Sequence, residues 1–129
     1  MIVVDTNVIA YLRLPGERTS AAERLLRKDP DWNAPLLWRS EFRSVLAGCL
    51  RRGDVSLENA LQIAEGAEGQ MRGREFSVPS AQILLRVEES DCSAYDCEFV
   101  VLAQELEVPL VTSDEKLLKA FPAVTRSLG

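Results

Sequence analysis

Histidine is absent from the 129 residues, and the three cysteines, Cys49, Cys92 and Cys97, include no Cys-x-x-Cys pair. Serine–histidine–aspartate and cysteine–histidine nucleophile systems, histidine-ligated zinc and zinc ribbons are thereby excluded. Chemistry in this chain falls to carboxylates, hydroxyls, lysines or a metal. Four acids stand out by position. Asp5 follows the β-branched run Ile2-Val3-Val4, Glu41 opens an apolar-periodic stretch, Asp96 closes Ser93-Ala94-Tyr95-Asp96, and Asp114 ends Thr112-Ser113-Asp114. Each also has a purely structural explanation. Asp5 and Asp114 are good helix N-caps, Ser93 with Asp96 fits a capping box, and an acid in a first helical turn suits the helix dipole. Asp96 carries the harder question, because it shares a helical face with Phe99, Val100 and Ala103, where an unpaired charge is costly.

The elements that must position these acids follow from hydrophobic period and breakers. Strands are expected over Ile2–Val4, Ala34–Leu37, Glu75–Val78, Pro109–Thr112 and Ala123–Thr125. Helices are expected from Asp5 to Leu12, Thr19–Lys28, Ser40–Arg52, Leu57–Met71, Ser80–Glu88, Ala94–Leu106 and Asp114–Phe121. Gly53 should stop the third helix, and Gly66, Gly69 and Gly73 should fray the fourth. Short apolar strands alternating with helices imply an α/β domain on a parallel sheet. In such sheets, sites form beyond the carboxyl ends of the strands, where Asp5 and Asp114 stand.

All four acids therefore sit at element starts facing one end of the sheet. Acids gathered there repel one another unless a cation lies between them, and an all-oxygen donor set suits Mg²⁺ or Mn²⁺. Such an ion can hold a phosphate and activate water. Other phosphate chemistries fit worse. No Gly-rich Walker loop and no G-x-G-x-x-G occur. Asn7 stands where an Asp-x-Asp phosphatase needs its second acid, and Asp5 lacks the acidic partner of a receiver domain.

Val3-Val4-Asp5-Thr6-Asn7-Val8-Ile9, Glu41, Tyr95-Asp96-Cys97-Glu98-Phe99-Val100-Val101-Leu102-Ala103 and Val111-Thr112-Ser113-Asp114 together resemble the ordered signature of PIN-domain proteins. In length and starting point the chain is most similar to the VapC toxins of VapBC toxin–antitoxin pairs. The resemblance covers essentially the whole chain. It implies a single domain over 1–129, a three-layer α/β/α sandwich with a mostly parallel sheet, and a Mg²⁺-dependent ribonuclease site built from Asp5, Glu41, Asp96 and Asp114. Asp5 and Asp96 are its implied direct metal ligands, with Mn²⁺ as an alternative ion. Glu41 and Asp114 complete the acidic pocket, and Thr6 and Asn7 orient Asp5, a role Ser93 and Thr112 share. The implied partners are RNA, a VapB-type antitoxin and a second copy of the chain. The competing readings are an inactive scaffold on the same fold, and a metal-dependent phosphatase or DNase.

Bulk composition bounds these readings. Hydrophobic residues make up 47% and charged residues 27%, a globular balance, and no stretch approaches the ~20 apolar residues of a membrane span. The opening Met-Ile-Val-Val-Asp has no basic region before it, so no secretory signal and a cytoplasmic location are expected. Net charge is −5, which does not advertise a nucleic-acid binder. Cations are uneven: Arg39, Arg43, Arg51 and Arg52 share a stretch whose only acid is Glu41. Arg39 and Arg43 are candidate RNA-backbone contacts, against the alternative of a solvated helix face. Trp32 and Trp38 are either partner anchors or core, and the cysteines read as packing.

Overall fold

The computed structural model describes residues 1–129. Five strands are present, β1 (Ile2–Val4), β2 (Trp32–Pro35), β3 (Glu75–Phe76), β4 (Leu110–Thr112) and β5 (Thr125–Ser127). Seven helices alternate with them: α1 (Thr6–Arg13), α2 (Thr19–Lys28), α3 (Trp38–Arg52), α4 (Leu57–Met71), α5 (Ser80–Glu88), α6 (Ala94–Leu106) and α7 (Glu115–Ala120). The strand order is β3-β2-β1-β4-β5 and every pairing is parallel. From β1 the chain winds outward through β2 to β3, then crosses back to β4 and out to β5. Right-handed crossovers place α1–α4 on one face and α5–α7 on the other, giving the three-layer α/β/α sandwich that the resemblance implies.

Ile2, Val3, Val4, Leu110 and Val111 are buried, as the central strands of a sheet covered on both faces must be. They join Val8, Ile9, Phe42, Leu46, Phe99, Val100 and Leu102 in one cluster of 24 buried residues. Gly53 ends α3 at φ +78, the left-handed conformation a helix stop needs and glycine adopts without strain. No helix is long and apolar enough to cross a bilayer.

Element boundaries depart from the sequence reading where burial overrides local propensity. Helix α3 starts at Trp38, although Leu37 offers no side-chain cap. Trp38 is fully buried against Phe42, with ring centroids 5.7 Å apart. Strand β2 begins at Trp32, in register with Ile2, and the Trp32 indole donates to the Asp29 carbonyl at 2.8 Å. Both tryptophans are thus core residues rather than partner anchors. Helix α4 runs unbroken past Gly66 and Gly69 to Met71, anchored by buried Ala67 and Met71. At Gly66 a Cβ would lie 3.1 Å from the Arg13 guanidinium. Strand β5 lies two residues later than expected, because a turn on the Phe121 carbonyl holds Val124 and Thr125. Its residues are polar because it is an edge.

Of the two candidate RNA contacts, Arg39 is held by neighbouring carboxylates. Its guanidinium donates to Glu75 at 2.5 and 2.9 Å and to Glu68 at 2.8 Å, tying α3 to β3 and α4. The Trp38 indole donates to the same Glu75 carboxylate at 2.7 Å, and Arg39 holds that carboxyl below its ordinary range. Arg39→Ala is expected to lower stability at pH 7 by about 2 kcal/mol, the scale of hydrogen bonds to a charged group. Urea unfolding checks this, and a loss under about 0.5 kcal/mol would make the cluster a solvated surface network.

Candidate active site

The switch from outward winding to the return crossover lies between β1 and β4, and the crevice at their carboxyl ends is where such sheets place sites. Asp5 leaves β1 there and caps α1, its Oδ1 accepting from the Val8 N–H at 3.1 Å. Its Oδ2 accepts from the hydroxyl of Thr112, the last residue of β4. That hydroxyl also accepts from the Asp114 N–H at 2.9 Å, so one buried side chain ties together the two strand ends. Asp114 in turn caps α7, its Oδ1 accepting from Lys116 and Leu117 N–H groups. Ser93 caps α6 by accepting from the Asp96 N–H at 3.0 Å. Cys92 and Cys97 flank this cap at the two staple positions, before it and one turn on, and both are buried. Helix α3 carries Glu41, whose Oε1 accepts from Thr6 at 2.6 Å.

All four acids line one cleft of about 350 Å³, together with Thr6, Asn7, Ser44, Val45, Phe99 and Leu117. The structural explanations hold alongside this convergence: three of the four acids belong to helix caps and also open onto the cleft. Thr6 is corrected, since its hydroxyl serves Glu41 rather than Asp5. Thr112 holds Asp5 directly. Ser93 acts on the backbone of Asp96. The sequence reading put Phe99 on the face of Asp96 only as an apolar neighbour, and did not count Ser44, Val45 or Leu117 among the site residues. Each lies three or four residues beyond a site acid, the spacing that puts side chains on one helical face.

Burial governs the electrostatics. Asp5, at 7% exposure, has its carboxyl pushed up to about 6 by desolvation, with the Asp114 charge adding and the Thr112 and Val8 donors opposing. Glu41 is raised by burial and by the Asp96 charge, against the Thr6 hydrogen bond. Asp96 is raised by burial and the Asp114 charge, with Ser93 and the Lys116 ammonium opposing. Glu98, one further acid on α6, is raised by burial and by Glu41. The cleft is a set of mutually repelling oxygens with no basic side chain in its lining.

That donor set fits a hard divalent cation. No three carboxylates are drawn close enough to enclose an ion by themselves. The fit is to an ion held by one or two carboxylates with water filling the rest, the mode Mg²⁺ favours because it dehydrates reluctantly.

Comparison with known proteins bears on the family and the fold. The PIN domain family model matches residues 2–122. Ribonuclease VapC3 of Pyrobaculum aerophilum is 25% identical over 126 residues, spanning 95% of this chain and 96% of that protein. Among solved structures, Pyrobaculum aerophilum PAE2754 superposes with a TM-score of 0.78 at 17% identity, over 98% of this chain and 90% of that one. A toxin–antitoxin complex from Klebsiella pneumoniae superposes at 0.70 and 15% identity, over 100% and 98%. At these identities the structural likeness shows a shared fold.

Proposed function

The chain belongs to the PIN domain family, and from that premise we propose that it is the toxin of a toxin–antitoxin pair, a ribonuclease hydrolysing RNA phosphodiester bonds with Mg²⁺ or Mn²⁺. The observation that carries the proposal is the convergence of Asp5, Glu41, Asp96 and Asp114 on one cleft at the sheet's switch point. The relative named as a ribonuclease and the neighbour in a toxin–antitoxin complex support it. They also supply the implied partner, an antitoxin, and the proposal retains a homodimer in the cytoplasm.

Asp5 and Asp96 would hold the ion in this scheme, and Glu41 and Asp114 would act through water. When bound, the ion supplies positive charge to a phosphate oxygen and acidity to a water molecule. The chain's own residues fix the geometry. Thr112 and the Val8 N–H occupy both Asp5 oxygens on one side each and lock the carboxylate plane. Thr6 takes Oε1 of Glu41, leaving Oε2 for the cleft. Burial raises the Glu41 carboxyl, so Oε2 is suited to take up a proton from a water beside the phosphate. Arg43, exposed on α3 next to Ser44 of the cleft, and Lys116, whose charge reaches Asp96, supply the cations for the RNA backbone.

RNA and DNA oligonucleotides of one sequence, incubated with the protein in Mg²⁺, in Mn²⁺ and in excess chelator, test the proposal. Cleavage confined to RNA and to the metal-containing reactions is expected. Undiminished RNA cleavage in chelator would overturn the mechanism, and preferential DNA cleavage would overturn the substrate.

A further inference from the structure

The winding order leaves a crevice at one edge of the sheet. Every crossover on the α1–α4 face runs from β1 toward β3, so the β4–β5 end of that face has no helix of its own. Register places Val111 beside Arg126, and Val4 beside Val111, so Ile2, Val4, Val111, Arg126 and Leu128 share this face. Ile2, Val4 and Val111 are buried there, and the crevice, of about 290 Å³, opens between α2 and β5. Its accessible apolar lining is the half-buried Ala21, Leu25 and Leu128, over the buried Ile2 and Val111. Its rim carries Arg24 and Lys28, one turn apart on α2, and Arg126 of β5. None of these three cations has an ion-pair partner within the chain. The one acid on the rim, Asp29, is engaged by the Met1 amino group and by the Asp31 N–H.

We propose that this crevice docks an acidic segment of a partner polypeptide, with one aliphatic side chain against Leu25 and Leu128 and flanking carboxylates against Arg24, Lys28 and Arg126. Charge complementarity argues for it: three unpaired cations meet over one cavity in a chain of net charge −5. Half-buried Leu25 and Leu128 beneath a basic rim suit an occupant that is apolar within and acidic outside. RNA is the weaker occupant. No aromatic ring lines the crevice, and exposed bases are taken up chiefly by stacking. The inference does not depend on the proposed ribonuclease activity.

The test uses the full chain in excess chelator and a fluorescein-labelled decapeptide of alternating leucine and glutamate. Saturable binding is expected, with amide NMR shifts concentrated at Ala21, Leu25, Val111 and Leu128. The double variant Arg24→Glu/Arg126→Glu should weaken binding about tenfold or more, since rim pairs contribute modestly one by one and together. The control decapeptide with glutamine in place of glutamate should bind as weakly to the wild type. RNA cleavage by the double variant should match the wild type, which separates this site from the carboxylate cleft. Absence of shifts at the crevice overturns the proposal. So does equal binding of the glutamine peptide, or displacement of the label by a single-stranded RNA oligonucleotide whose own shifts map to the same residues. If the double variant is misfolded by circular dichroism, Lys28→Glu, on exposed helix surface, replaces it under the same criteria.

Discussion

Asp5→Asn and Asp96→Asn are each expected to lower metal-dependent RNA cleavage by more than ~100-fold, because loss of a direct ligand should exceed the 10–100-fold cost of losing an outer hydrogen-bonding partner. Asparagine keeps the shape and the capping acceptor at position 5, so the fold should persist. The effect should be graded around the cleft. Asp114→Asn retains an acceptor for the Lys116 and Leu117 N–H groups and acts through water in the proposed scheme, so its loss should be smaller. Thr6→Val should fall in the 10–100-fold range, because it releases Glu41 from its only side-chain hydrogen bond. Single-turnover cleavage of a labelled RNA, with circular dichroism on each variant, reads out the series. Retention of more than a tenth of wild-type activity by both Asp5→Asn and Asp96→Asn would show that the ion, or the reaction, lies elsewhere.

The positions of the acids were legible because each occupies a place that local chemistry marks. Asp5 and Asp114 follow β-branched runs, and Ser93 three residues before Asp96 is a capping box. Their convergence was legible one step further on, because parallel strands carry all their carboxyl ends to one edge of the sheet. What could not be read was pairing across the chain. Nothing local distinguishes Thr6 from Thr112 as the hydroxyl that serves Asp5, since the choice depends on β4 lying next to β1. Arg39 and Arg43 look equivalent in sequence. The first is captured by Glu75 on the next strand of the sheet, while the second is left exposed. Tertiary burial of Trp32 and Trp38 likewise moved two element boundaries that capping rules had set.

Structure and function make compatible demands on these acids, which explains why each has two readings. A helix start needs an acceptor for its free N–H groups, and a carboxylate supplies one with a single oxygen, leaving the other for the cleft. Asp114 spends Oδ1 on two N–H groups. Asp5 is the exception, with both oxygens already accepting, and it is also the most buried of the four.

That burial has a measurable consequence. The Asp5 carboxyl titrates near 6 in the folded protein, against 3.8 for the ordinary side chain. The folded state therefore holds the proton more tightly than the unfolded one between those values. The contribution of Asp5 to stability without metal is fullest below about pH 4 and is lost as pH rises to about 6. The shift corresponds to about 3 kcal/mol at pH 7. Asp5→Asn removes the charge and should flatten this part of the profile. Part of the gain is offset, because an amide nitrogen in place of Oδ2 no longer accepts from the Thr112 hydroxyl. A net gain of about 1 kcal/mol would raise the melting temperature in chelator at pH 7 by a few degrees in a domain of this size. Millimolar Mg²⁺ should reverse the order, because the wild type gains binding free energy that the variant largely loses. A purely structural cap predicts the opposite pattern: a variant no more stable than wild type, and no Mg²⁺ shift in either protein. Thermal melts of both proteins from pH 4 to 8, in chelator and in Mg²⁺, separate the two cases. A wild type indifferent to Mg²⁺ together with an unstabilised Asp5→Asn would remove the electrostatic basis of the carboxylate cleft as a metal site.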